Sequence, residues 1–123
     1  VWCDASYCHI FKVGFGCYII EGEEPQIHRL TSKSSFSCEL ETMILAATQA
    51  PTQSVIYTDL NDLSERVNHE LLDELIRILA HKNQSLRYIR KFERADRYKV
   101  CHNLARDQVR LERRKVLIWR KYW

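Results

Sequence analysis

The sequence has no Cys-x-x-Cys pair, and its five cysteines (Cys3, Cys8, Cys17, Cys38, Cys101) form an odd and scattered set. Neither a zinc knuckle nor a disulfide framework is signalled by such spacing. Reduced, mostly buried thiols are expected, and Cys3 and Cys17 are the one pair that neighbouring strands could set face to face. No apolar run approaches the roughly 18 residues needed to cross a bilayer, and no charged-then-apolar leader precedes the first strand. A cytoplasmic protein without a membrane partner is the expectation. Internal repeats and low-complexity linkers are also missing, and 123 residues of ordinary apolar content suit one domain, 1–123, with a single core.

Acidic residues become scarce only in the last third. Residues 1–81 carry 5 Lys or Arg against 12 Asp or Glu, a net −7, whereas residues 82–123 carry 14 against 4, a net +10. The formal charge of +3 hides this asymmetry. A basic segment of such density either meets an acidic polymer, most often nucleic acid, or forms a solvated helix face.

Val55-Ile56-Tyr57-Thr58-Asp59 reads as a buried strand running into a carboxylate. In open α/β sheets ligands bind at the carboxyl ends of strands, which makes Asp59 a candidate for chemistry; Asp is equally a favoured N-cap for a helix that follows. Val1-Trp2-Cys3-Asp4 repeats the pattern. After Asp4 a loop over Ala5 to Val13 is expected, then a strand from Gly14 to Ile20, a turn at Glu21 to Pro25 and a strand from Gln26 to Leu30. Ser32 to Ser37 forms a polar link with capping character. Leu40, Met43, Ile44 and Ala47 then recur at helical spacing until Pro51, with Glu39 in the first turn. Glu39 and Glu41 both border that apolar face about 200° apart, so periodicity alone selects neither.

Beyond Asp59 a short helix to about Val67 is expected, then a second one capped by Asn68 with a stripe of Leu72, Leu75, Ile76 and Leu79. A last strand over Leu86 to Ile89 precedes a basic helix from near Lys99. Trp2 suits the core, and Trp119 and Trp123 suit the core or a contact with another chain. His9, His28, His69 and His81 show no partners in the sequence and read as ordinary histidines.

The order β-β-β-α-β-α-α-β-α, with acids ending two strands and opening the first helix, resembles the ribonuclease H-like family in its short, reverse-transcriptase-like branch. Val1-Trp2-Cys3-Asp4-Ala5-Ser6 is similar to the family's first strand and the run from Gly14 to Ile20 to its glycine-led second strand. Cys38-Glu39-Leu40 is similar to the Glu-Leu opening of the first helix, and Tyr57-Thr58-Asp59 to the end of the fourth strand. Cys101-His102-Asn103-Leu104-Ala105-Arg106 resembles the start of the last helix, with His where the family usually has Asp. Only about 30 residues lie between Asp59 and Ile89, which matches the short branch.

The resemblance implies an α/β fold: a five-stranded mixed sheet, order 3-2-1-4-5, flanked by helices. It also implies an endonuclease that cleaves the RNA strand of RNA/DNA hybrids with two Mg2+ or Mn2+ ions. Asp4, Glu39, Asp59 and His102 would be its catalytic and metal-binding residues, with Asp4 bridging the ions. His102 lies 13 residues after Ile89, as the family spacing requires; Asp107, the competing fourth ligand, stands five residues later and about 140° round the helix. An imidazole in the set would favour manganese. Ser6, Ser35 and Asn61 occupy places where relatives touch ribose hydroxyls, and Arg106, Arg110 and Arg113 would contact phosphates. Two alternatives stay open: a weak or inactive nucleic-acid-binding module of the same fold, and a nuclease for DNA or structured RNA.

Overall fold

The computed structural model describes residues 1–60, 69–90 and 96–121. The expected helix up to Val67 and the Asn68 cap of the helix after it lie outside the described residues, as do Asn61 and Trp123. Five strands, β1 (Trp2–Cys8), β2 (Val13–Ile19), β3 (Gln26–Arg29), β4 (Val55–Thr58) and β5 (Ser85–Tyr88), form one mixed sheet in the order β3-β2-β1-β4-β5. Three helices accompany it among the described residues: α1 (Ser35–Gln49), α2 (His69–His81) and α3 (Asp96–Lys121). The architecture is therefore α/β with the expected strand order. No helix among the described residues is long and apolar enough to cross a membrane.

Several boundaries differ from expectation for local reasons. β1 continues to Cys8 because β2 pairs with it without a break, from Trp2↔Ile19 to Cys8↔Val13. Ala5 to Cys8 are thus strand, and the loop shrinks to residues 9–12, where Lys12 takes a positive φ of 53°. α1 begins at Ser35 because the Ser34 hydroxyl accepts a hydrogen bond from the Ser37 backbone N–H at 3.1 Å. Glu39 consequently stands in the second turn. α3 starts at Asp96, three residues earlier than expected.

Alternation along β1 and β2 builds two cores. Cys3 and Tyr18 face α1 and pack with Leu40, Met43, Ile56 and Leu75. Cys17 and Ile19 face α3 and pack with Cys101 and Ala105. Cys3 and Cys17 therefore lie on opposite faces, since a one-residue offset in a strand reverses the side. All five cysteines are free and buried. On α2 the packed stripe is Leu71, Leu72, Leu75, Ile78 and Leu79. Ile76 is 54% exposed, being rotated about 100° from Leu75.

The helix α1 lies unusually close to the sheet. A Cβ at Gly16 would come 2.1 Å from Thr42 Oγ1, and one at Gly14 would come 2.7 Å from Cys38 Sγ. Both glycines exist to let Cys38 and Thr42, one turn apart, seat directly on β2. Gly16→Ala should therefore destabilise the fold by about 1–3 kcal/mol, the usual cost of overpacking. Chemical denaturation of Gly16→Ala, Thr42→Ala and the double variant measures it, with partial recovery expected in the double variant.

Candidate metal centre

The parallel pairing of β1 with β4 is made at Trp2↔Tyr57. Asp4 and Asp59 each stand two residues beyond this pair, which sets their side chains next to each other. Trp2 and Tyr57 stack with ring centroids 5.7 Å apart, and the Arg97 guanidinium lies 5.7 Å from the Trp2 ring centroid. The aromatic pair forms a rigid floor on the strand face from which Asp4 projects. Behind Asp59, the Thr58 hydroxyl accepts from the Leu60 N–H at 3.1 Å and so fixes the turn that carries the carboxylate.

Glu39 reaches the same place from α1. Its neighbours Cys38 and Leu40 are fully buried, and the glycine seats below α1 bring that turn against β1. One ligand oxygen from each of Asp4, Glu39 and Asp59 lies within 4.8 Å of the others. Glu41, the rival on the helix wheel, is committed elsewhere. Its carboxylate accepts the backbone N–H and hydroxyl of Thr31 at 3.1 Å each, and those of Ser32 at 2.9 and 2.7 Å. Burial pushes the Glu41 carboxyl up, but the Ser32 hydroxyl and the backbone donors outweigh it and hold the group below the usual range. The two glutamates thus divide into a cap for the β3–α1 link and a member of the acidic cluster.

Electrostatics in the cluster are strained. Asp4 is only 2% exposed, and burial, followed by the Asp59 charge, raises its carboxyl above the usual range despite the opposing contact from His102. Burial likewise pushes Glu39 well up, reinforced by Asp4 and Asp59. A cation placed among them would offset both the burial and the mutual repulsion and favour their charged forms.

His102 lies on the first half of α3 with Nδ1 2.6 Å from Asp4 Oδ2. Its ring stacks on buried Tyr98 one turn earlier, at 6.4 Å and 16°. His102 adjoins the cluster through Asp4; the three mutually close ligand atoms belong to the carboxylates. Asp107 is turned away, with a 63% exposed side chain 3.7 Å from Arg106 Nε. Of the two candidates for a fourth position, then, the structure brings His102 and not Asp107 to Asp4.

The other predicted residues are distributed around this centre. Ser6 follows Asp4 on the same face of β1, and exposed Ser35 opens α1. Arg106 is partly buried, whereas Arg110 and Arg113 are exposed on successive turns of α3. Tyr98 and the Trp2–Tyr57 floor were not legible as site residues, although the four-residue step from Tyr98 to His102 is a signal of ring contact on one helix.

A stability test follows from the raised carboxyls. Their folded-state values exceed the unfolded ones, so the folded protein holds more protons between the two. In chelator, stability should fall as pH rises from the ordinary carboxyl range of 3.8 to 4.5 towards neutrality. Glu39→Gln should flatten this dependence and raise the melting temperature at pH 7. At a concentration 100 times its dissociation constant, a divalent ion should add about 2.7 kcal/mol to the wild type and much less to Asp4→Asn. Thermal melts across pH, with and without Mn2+, check both. Compared with protein-family models and with curated proteins, the chain matches none.

Proposed function

We propose that the chain is a metal-dependent endonuclease of the ribonuclease H type, acting on the RNA strand of RNA/DNA hybrids. The observation that carries this reading is the meeting of Asp4, Glu39 and Asp59 from three separate elements within 4.8 Å. The strand order β3-β2-β1-β4-β5 supports it by placing two of the acids on adjacent strands. An all-oxygen cluster suits Mg2+ or Mn2+ rather than a soft metal.

Divalent cations bound there would supply Lewis-acid charge for the phosphodiester and an activated water. Asp4, Glu39 and Asp59 would be the residues that hold them. The contact from His102 Nδ1 to Asp4 Oδ2 restrains the orientation of the Asp4 carboxylate beside the cluster. Burial of Asp4 over the Trp2–Tyr57 floor keeps its rotamer from drifting. On the substrate side Phe36 is buried among Leu40 and Met43, so recognition of ribose 2′-hydroxyls falls to Ser6 and Ser35.

The His102–Asp4 contact also favours a second reading, a nucleic-acid-binding module of the same fold without turnover. There the imidazole, rather than a metal, would offset the Asp4 charge. Calorimetric titration with Mn2+ separates the two readings, since only the first requires binding that Asp4→Asn abolishes.

The primary test is cleavage of matched RNA/DNA hybrid, double-stranded RNA and DNA in Mg2+ and Mn2+. Hybrid should be cut at the RNA strand, and Asp4→Asn or Asp59→Asn should lower the rate at least 100-fold, the upper range seen for loss of groups that merely support a metal ligand. Near wild-type turnover in either variant would refute the assigned site. Preferential cutting of DNA or double-stranded RNA would move the assignment to another nuclease class.

A paired comparison addresses the fourth position. In Mn2+, His102→Ala should lose activity, by about 10- to 100-fold if its role is to orient Asp4, while Asp107→Ala should retain it. The reverse pattern would return the role to Asp107.

A further inference from the structure

A basic groove runs away from the acidic cluster along α3. Where the end of β1 and the following turn approach the helix, they enclose a recess of about 230 Å3 whose polar lining includes Ser6, His9, Arg106, Arg110 and Arg113. A second recess of about 220 Å3 continues between Arg110, Arg113, Arg114 and Leu117. The two share Arg110 and Arg113, and neither is lined by a carboxylate. Of the acids on this helix, Asp107 lies 3.7 Å from Arg106 and so partly offsets the charge at the inner end, while Glu112 is engaged outside the recesses, binding Arg29 at 3.2 Å and Lys115 at 3.4 Å. Among the described residues, Arg110, Arg113 and Arg114 have no carboxylate within ion-pair distance.

The order of these groups along the helix is informative. Arg106, Arg110 and Arg113 follow His102 by four, eight and eleven residues. At about 1.5 Å and 100° per residue they sit about 6, 12 and 16 Å farther along the axis, all within about 80° of the side that carries His102. His102 touches Asp4, so the line of guanidinium groups begins at the acidic cluster and leads away from it. Guanidinium forks match phosphate oxygens in pairs. Recesses of this size admit the phosphate groups of one strand at a time.

We propose that this groove is a phosphate track for a single strand of nucleic acid, with Arg106, Arg110 and Arg113 meeting successive parts of its backbone as it leaves the acidic cluster. The inference rests on the nucleic-acid reading of that cluster and adds its register. At one phosphate per guanidinium the track holds three phosphates, the backbone of about four nucleotides of one strand. Ser6, at the inner end, and His9, at the mouth, supply polar contacts on the side opposite the helix.

The test is anisotropy of labelled oligo(dT) from two to twelve nucleotides, in chelator, at several salt concentrations. Affinity for the wild type should climb steeply up to about four nucleotides and only slowly thereafter. In Arg110→Ala/Arg113→Ala the break should move to about two nucleotides. The slope of log affinity against log salt should become shallower by about 1.4, since each lost phosphate contact on a single strand contributes about 0.7. Arg110→Lys/Arg113→Lys should restore the salt slope, because each position keeps its charge. An unchanged length profile and slope in the alanine variant would overturn the track, as would failure of the wild type to bind oligo(dT) at all. Asp4→Asn separates this from the catalytic reading: it should keep the length profile while abolishing cleavage. If the wild type cuts nothing yet the break moves as stated, the track stands and the nuclease assignment fails. If cleavage occurs and the alanine variant binds as wild type, the assignment stands and the track fails.

Discussion

Three carboxyl groups held against one another in a largely buried place are the constraint to which the surrounding structure answers. Left to themselves, Asp4, Glu39 and Asp59 would repel, and burial already drives Asp4 and Glu39 towards their neutral forms. Keeping them together requires rigid attachment on every side. β1 and β4 provide two of the acids at one register step beyond Trp2↔Tyr57, and the stacked rings behind them resist movement of either strand. Gly14 and Gly16 supply the third by letting α1 descend until Cys38 and Thr42 touch the sheet. The glycines are far from the carboxylates in role, yet without that close approach Glu39 would stand off from its partners.

The division between Glu39 and Glu41 shows how a local hydrogen-bonding arrangement assigns chemistry. Both glutamates border the apolar face of α1, and a helix wheel offers no choice between them. Thr31 and Ser32, at the end of the β3–α1 link, present backbone and hydroxyl donors that only Glu41 can reach. A carboxylate with that many donors is stabilised as an anion and is held at the link, away from the cluster. Glu39, given no such donors from that link, is left to the cluster.

These particulars explain what could be read from the sequence. The apolar runs leading into Asp4 and Asp59 were legible because strand periodicity is a one-dimensional signal, whereas the order of the sheet and the place of His102 came from resemblance to a family. The extension of β1 to Cys8 was not, since Ala5, Ser6 and Tyr7 have no apolar alternation of their own; full pairing with glycine-led β2 makes them strand. Ile76 was counted in the α2 stripe from spacing that tolerates either neighbour of Leu75, and packing against α1 chose Leu71 and Ile78 instead. The choice of Glu39 over Glu41 came from resemblance to a family motif. Its physical cause lies in donors nine and ten residues upstream of Glu41, which no helical pattern contains.

The segregation of charge along the chain acquires a physical meaning in the folded molecule. The acidic cluster alone would repel a polyanion, so a nucleic acid could approach it only against a local field of its own sign. α3 counters this by carrying two rows. Cys101, Ala105 and Val109 face inward and hold the helix to β1 and β2, while His102, Arg106, Arg110 and Arg113 follow the adjacent side. At physiological ionic strength the screening length is about 8 Å. By helical rise Arg106 falls inside that distance from His102, at about 6 Å, and Arg110 and Arg113 fall beyond it, at about 12 and 16 Å. Arg106 therefore acts on the charge of the cluster itself as well as on any bound phosphate. Arg110 and Arg113 are largely screened from that end of the helix and would attract a strand with little dependence on whether the cluster is neutralised.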